Sequence, residues 1–315
     1  MITKTKPSPR TLTFKGIVYG NIFAFTAFAI AYAISEWNDD VGAMLSFAEF
    51  VLVPIGMGII GTRYWLQISP KLVAMFPYTL TNTFIGILLS AVFMGEGYIC
   101  LLIVSPLILA FMWVGVLIGK YLVWKDNKTI RTSTLSVLLL LFVWDTFTDH
   151  NYVNVVTDEL IVNAPPAAVW RYVAEHPEND SKPDYWLFGI GLPCPVQSTV
   201  TADTVGAERK CIFSNGATFD ETVVEVIPEK RYTFDIYRQP ADPEIIGHIE
   251  IRRGQFILEE NADGTTRLIG KSWYRLMVYP AWYYDVWAED ITREVHLRVM
   301  RHIKTLAERD VQVGS

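Results

Sequence analysis

Long apolar runs fill the first half of the chain and stop near residue 150, after which apolar and polar positions alternate over short distances. A helix needs about 20 mainly apolar residues to cross a bilayer. Five segments read as such spans, at about 16–35, 42–65, 77–94, 98–124 and 133–147. The last contains Leu135 to Trp144 and gives way abruptly to Asp145-Thr-Phe-Thr-Asp149, where the chain leaves the apolar phase. The turn Gly95-Glu96-Gly97 is tight enough to make spans three and four a hairpin. A four-span alternative treats the third segment, the weakest, as re-entrant. The first apolar stretch is too long for the core of a signal peptide and lacks a small-residue cleavage site, so it reads as a retained anchor.

The second half has a different period. Tyr152 to Asn163 alternates and is rich in Val and Ile, as a strand is. Pro165-Pro166 then opens a short helix, Ala167 to Val173, where a missing N–H costs nothing. A loop from Lys182 to Gln197 carries Tyr185, Trp186 and Phe188. Six further strands are predicted at Thr199–Thr204, Glu208–Ser214, Ala217–Ile227, Arg231–Arg238, Ile245–Leu258 and Thr265–Val278. Asn215-Gly216 and Asp263-Gly264 are hairpin signals, and Arg252-Arg253-Gly254 suggests a bulge. From Pro280 to Glu308 the period returns to that of a helix, with Trp287, Ile291, Val295, Val299, Ile303 and Leu306 as the apolar stripe. Arg293, Glu294, Arg298, Arg301 and Lys304 fall on its polar face. The expected fold is an α-helical membrane bundle, residues 1–149, followed by an α+β domain, residues 150–315, with an antiparallel sheet and a long C-terminal helix.

Charge gives the membrane half a direction. The N-terminal tail carries Lys4, Lys6, Arg10 and Lys15, and the loop Glu36 to Asp40 has no basic residue. Arg63 and Lys71 follow span two, the Gly95–Gly97 turn again has none, and Lys120, Lys125, Lys128 and Arg131 precede span five. Basic and non-basic loops alternate under five spans, which puts the N-terminus in the cytoplasm and the C-terminal half outside it. A bacterial inner membrane is the default setting. Composition agrees with this division, since 51% of residues are hydrophobic and 19% charged. A net charge of −6 argues against general nucleic-acid binding, which needs a basic surface.

The C-terminal half resembles the START-like, helix-grip superfamily, also called SRPBCC or the polyketide cyclase/dehydrase and lipid-transport superfamily. The residues that carry the likeness are Asn163-Ala-Pro-Pro-Ala-Ala-Val-Trp170, Gly206-Ala-Glu-Arg-Lys-Cys-Ile-Phe213, Gly264-Thr-Thr-Arg267 with Trp273-Tyr274, and the closing helix. The resemblance covers Asp158 to Arg309, about half the chain. It implies a curved sheet gripping the helix and a pocket between them for a lipid or another apolar small molecule. Pocket candidates from the loop and the middle strands are Trp186, Phe188, Phe213, Phe219, Phe234 and Phe256. Those near the last helix are Trp273, Tyr274, Trp282, Tyr283 and Trp287. Core packing is the competing reading for each of them. The dense run Tyr279 to Tyr284 can gate the pocket or lie against lipid headgroups. The fold also hosts enzymes, so the resemblance does not decide function.

Candidate chemistry is sparse. His248, Glu250 and Arg252 share a strand face by period two, and Glu221 can face them; converging in a pocket they could do acid–base work, and on a solvated face they are cross-strand charge pairs. No metal-ligand cluster, phosphate loop or nucleophile–base pair is legible, and no cofactor is expected. His296 and His302 miss the usual metal-ligand spacing, and His150 and His176 read as exposed loop residues. Within the bundle Glu49 is the foremost polar residue, with Asn21 and Asn82 behind it. Glu49 reads either as a proton or ligand site or as a carboxyl near the outer interface. Gly56, Gly58 and Gly61 suggest close helix packing. Trp37, Trp65, Trp113, Trp124 and Trp144 suggest an interfacial belt. Of three cysteines, Cys100 reads as buried, and Cys194 and Cys211 can bridge in an oxidising compartment. Three functions follow: a membrane-tethered lipid or apolar-ligand binder, a non-catalytic accessory subunit docked on other membrane proteins, or an enzyme on an apolar substrate.

Overall fold

The computed structural model describes residues 7–37, 48–95, 97–125, 132–146, 151–245 and 247–314. Lys4, Lys6, Asp39, Asp40, Glu96, Lys128, Arg131 and His150 lie outside these residues. The chain forms two compact units, one of Met1–His150 with Val278–Pro280 and one of Asn151–Met277 with Ala281–Ser315.

The first unit is helical: α1 (Pro9–Trp37), α2 (Val53–Trp65), α3 (Phe76–Met94), α4 (Tyr98–Lys125) and α5 (Thr132–Thr146). Among the described residues, three helical stretches are long and apolar enough to cross a membrane: Pro9–Ile30, Leu72–Phe93 and Tyr98–Val123. The first, third and fourth expected spans are among them and the second and fifth are not, so the described residues show three candidate spans rather than a clear five. The described part of the second is a π-helical turn, Ala48–Leu52, running into the 13 residues of α2, and the fifth is the 15-residue α5.

Glycine lets these helices touch. A Cβ on Gly58 would lie 2.1 Å from the Met112 carbonyl oxygen, and one on Gly115 would lie 2.1 Å from that of Ile55. Small residues are thus what allow the α2 and α4 backbones to meet. Trp65, expected in an interfacial belt, is instead fully buried beside Gly16 and Gly61, where a Cβ would collide with its indole.

The second unit contains one seven-stranded sheet in the order β1-β7-β6-β5-β4-β3-β2, antiparallel throughout. The strands are β1 (Tyr152–Val162), β2 (Pro195–Val200), β3 (Glu208–Phe213), β4 (Thr218–Ile227), β5 (Arg231–Arg238), β6 (Ile249–Glu260) and β7 (Thr266–Leu276). Short helices α6 (Pro166–Trp170) and α7 (Trp186–Gly189) precede β2, and the 34-residue α8 (Ala281–Gly314) closes the chain. This architecture fits the helix grip. Two strand starts differ from expectation by more than one residue. β2 begins at Pro195 because it is an edge strand, where an absent N–H breaks no ladder bond. β6 begins at Ile249 because Asp242 holds the preceding turn, accepting the Glu244 N–H on its side chain and the Ile245 N–H on its carbonyl. The β6 bulge falls between Ile251 and Arg253, and Gly254 leaves room for the Phe234 ring across the β5 pairing.

The core lies between sheet and α8. It combines Tyr232, Phe234, Phe256 and Leu268 from the strands with Val299, Met300, Ile303 and Ala307 from the helix. The buried face of α8 runs through Tyr284, Ala288, Thr292, His296 and Met300. Trp287, Ile291 and Val295 of the expected stripe are only half-buried beside it. Arg298, placed on the polar face by its charge, is buried: its guanidinium donates to the carbonyls of Pro195, Asn179 and Ser181.

Candidate functional site

The aromatic candidates separate into different environments. Phe234 and Phe256 belong to the core, with ring centroids 6.3 Å apart. Phe213 and Phe219 pack together at 5.0 Å, both buried. Phe188 is buried against Tyr185, and Tyr274 is fully buried. Trp273 and Trp287 are half-buried. Trp186 and Trp282 are exposed, at 50% and 66%, and Tyr283 is half-buried with its ring on Trp282.

The four polar candidates do not converge as a set; only Glu250 and Arg252 are neighbours. Glu221 is buried and pairs with Arg209, whose Nε donates to the Ala174 carbonyl and whose guanidinium lies 4.4 Å from the centre of the Phe234 ring. Burial raises the Glu221 carboxyl above the usual range, while the Arg209 charge pulls it back. A pair so enclosed is held by its completed hydrogen bonds; removing one partner would strand a buried charge. Glu250 instead stands opposite Arg275 on the other face of the sheet, 2.8 Å from its Nε, with Arg252 at 3.7 Å. His248 sits in the turn before β6. In the helical unit Glu49 is half-buried in the π-helical turn, whose Ala48 N–H donates to Asp145 at 2.6 Å. Asn21 and Asn82 do meet, with Asn21 Nδ2 donating to Asn82 Oδ1 at 2.9 Å.

Cys194 and Cys211 are both free thiols. The Cys194 backbone is bonded to Ser214, three residues past Cys211 on the neighbouring strand. Three residues of strand span about 10 Å, beyond the reach of a disulfide. Burial pushes the Cys211 thiol up to about 12, with Glu221 adding to the shift. His176, expected to be exposed, is buried, and its ring centroid is 5.2 Å from that of His302.

The polar groups that do converge were hidden from sequence reasoning. The register of β1 on β7 aligns Asn154 with Tyr274, Val156 with Ser272 and Asp158 with Gly270. Alternation turns these residues toward α8. Two polar stations result. At the first, Asp285 of α8 accepts hydrogen bonds from Tyr152 (2.7 Å), Tyr274 (2.6 Å) and Asn154 (3.1 Å). The bond to Asp285 is the main cause that raises the Tyr152 hydroxyl to about 12; for Tyr274 burial comes first and the Asp285 bond adds to it. At the second, His296 Nδ1 is 2.9 Å from Asp158 Oδ2, and His296 Nε2 is 2.7 Å from Ser272 Oγ. Arg293 Nε lies 3.1 Å from the other Asp158 oxygen. The neutral tautomer that donates Nδ1–H to Asp158 leaves Nε2 to accept the serine hydroxyl. Gly270 makes room here: a Cβ would come within 2.8 Å of Met300 Sδ and 3.8 Å of the His296 ring.

No family model matches this chain, and no curated protein matches it significantly. Solved structures do. A norcoclaurine synthase point mutant from Thalictrum flavum, in complex with a transition-state analogue, shares 14% identity over 53% of this chain and 100% of its own, with a TM-score of 0.36. A protein from Mesorhizobium loti shares 18% over 50% of this chain and 98% of its own (TM-score 0.34). The XoxI protein from Bacillus cereus shares 19% over 50% and 97% (TM-score 0.35). Matches this distant carry no argument for fold or activity. The helix-grip reading rests on the strand order and on α8.

The two stations lie on the face covered by α8, beside the apolar core, yet Tyr152, Asn154, Ser272 and Asp285 each keep part of their surface accessible. A separate cleft of about 400 Å³ lies at the β4–β5 turn, lined by Pro166, Ile227, Lys230, Arg231 and Leu258 among others. It shares no residue with either station.

Proposed function

We propose that this is a multipass membrane protein whose C-terminal unit, residues 150–315, binds a lipid or another apolar ligand between the sheet and α8, with the polar end of the ligand at the stations on β1 and β7. The observation that carries this reading is the pair of partly accessible hydrogen-bonding stations on the helix-covered face of the sheet, beside the apolar core. A binding site of this kind uses apolar walls for affinity and a few placed polar groups for orientation. The membrane half contributes five spans in this proposal, 16–35, 42–65, 77–94, 98–124 and 133–147, with the N-terminus cytoplasmic and the ligand domain outside the cytoplasm, in a bacterial inner membrane. The loop charges support that direction. Tethering keeps a carrier at high effective concentration beside its lipid source.

Native mass spectrometry of the gently extracted full chain tests the reading. The expected result is a bound lipid or apolar molecule that is lost when Asn154 and Tyr274 are replaced by Leu and Phe. A chain that neither carries nor accepts one sinks the proposal. A second reading, an accessory subunit of a larger membrane complex, draws support from Trp282 and Val286, one helical turn apart on α8 and each 66% exposed.

A further inference from the structure

The second station has an order that ligand orientation alone does not require. Asp158 and His296 are almost sealed, with side chains 9% and 7% exposed, while Ser272 in front of them remains half-open. Hydroxyl, imidazole and carboxylate are linked through the correct ring nitrogens: Nε2 to the hydroxyl, Nδ1 to the carboxylate. Arg293 holds the far carboxylate oxygen and so fixes its orientation. A nucleophile, its base and the group that orients the base are recognised by this geometry and not by sequence position or fold. The three residues come from β7, α8 and β1, so their meeting depends on the whole unit being folded.

We propose that Ser272 and His296 are catalytic residues, and Asp158 a positioning residue, of an acyl-ester hydrolase acting on an ester with an apolar acyl chain. Ser272 Oγ forms a bond to the ester carbonyl carbon as its proton passes to His296 Nε2. The ester C–O bond then breaks, and the leaving alcohol takes that proton from Nε2. Water attacks the acyl-serine in the same way, giving its proton to Nε2; the carboxylic acid departs and Ser272 regains its proton. No oxidant or metal enters the balance. Val156 beside Ser272 and the nearby Phe256 and Met300 supply an apolar wall for the acyl chain. The proposal rests on the ligand-binding reading and names the substrate class for it.

The test uses the full-length protein in detergent with an alkyl fluorophosphonate, followed by peptide mapping, and a series of p-nitrophenyl esters from acetate to palmitate. Label on Ser272 and a preference for the longer esters are expected. Ser272→Ala should lower hydrolysis by at least about 10³-fold, and His296→Gln should abolish labelling. Asp158→Asn should lower the first-order rate constant of labelling at saturating probe while leaving the final extent of labelling unchanged, a split that partial loss of folding, which lowers the extent, would not give. Absence of label on Ser272 in the unaltered protein overturns the proposal without any variant, as does labelling that persists in His296→Gln. If native mass spectrometry still finds a bound apolar ligand in that case, only the hydrolytic step falls; if it finds none, the ligand reading falls as well.

Discussion

His176 shows how much one side chain's surroundings decide. It is buried, accepts no carboxylate partner, and has its Nδ1 3.1 Å from the Pro177 carbonyl oxygen. Burial is the main cause that lowers its pKa from 6.5 to about 4, with the Arg209 and His302 charges adding to it. The folded state therefore prefers the neutral ring more strongly than the unfolded chain does. Its contribution is fully present above pH 6.5 and is lost as the pH falls toward 4, where the folded ring is protonated too. The loss amounts to about 3 kcal/mol over that window. Urea unfolding of the full chain between pH 7 and pH 4 should show this slope, and His176→Gln should flatten it. Equal slopes for the two proteins would remove His176 as the cause. From the sequence alone the same residue, followed by Pro177, reads as an exposed loop histidine. Nothing local announces that the β2 backbone bonds to its own N–H and carbonyl and encloses it.

At the scale of elements, α8 was legible as a helix but not in its rotation. A 3.6-residue period admits both Trp287-Ile291-Val295 and Tyr284-Ala288-Thr292-His296-Met300 as a stripe. Hydrophobicity favours the first, because Thr and His count as polar, yet the second is the buried face. What decides it is the polar inner face of β1 and β7, which gives His296 and Asp285 partners. That face in turn follows from the register of two strands distant in sequence, which a period-two pattern cannot supply. Strand existence was far more readable: the β5 range was predicted to the residue, and the remaining ends moved by a few positions where Pro195 and Asp242 intervene. The glycine contact between α2 and α4 gives the test at this scale. Gly115→Val places a Cβ where the Ile55 carbonyl oxygen now sits. Separating or straining two packed helices costs about 1–3 kcal/mol. Thermal unfolding in detergent should fall accordingly, whereas Gly95→Asn, in a left-handed turn with open space around it, should change little. A Gly115→Val protein as stable as the parent would mean the helices do not meet there.

For the whole molecule, topology is the open quantity with the clearest readout. Three described stretches have the length and apolarity of spans, and the alternation of loop charge calls for five. A reporter fused after Ser315 should signal from outside the cytoplasm and one inserted at Lys128 from within it. A cytoplasmic signal at Ser315 would overturn the five-span arrangement and place the ligand domain on the other side of the bilayer. Domain order and the division near residue 150 were visible in composition because a bilayer-crossing segment and a half-buried strand demand different patterns. The site was not visible, because its residues come from β1, β7 and α8 and meet only when β1 pairs with β7 beneath the helix.

The pairing of β1 with β7 has a consequence for how the protein is made. Asn154 and Tyr274 lie 120 residues apart in sequence yet share the sheet edge. Ribosomes add about 5–20 residues per second, so β1 waits about 6–24 s for its partner after it is made. Through that interval it is a Val-rich strand with both edges open, a state prone to pairing with the wrong chain. It carries Asn154 and Asp158 on one face and Glu159 on the other, charged or polar groups that discourage such pairing. Asp158 thus guards the nascent strand before it ever meets His296, and the timing of synthesis becomes a constraint on the same residues that build the site.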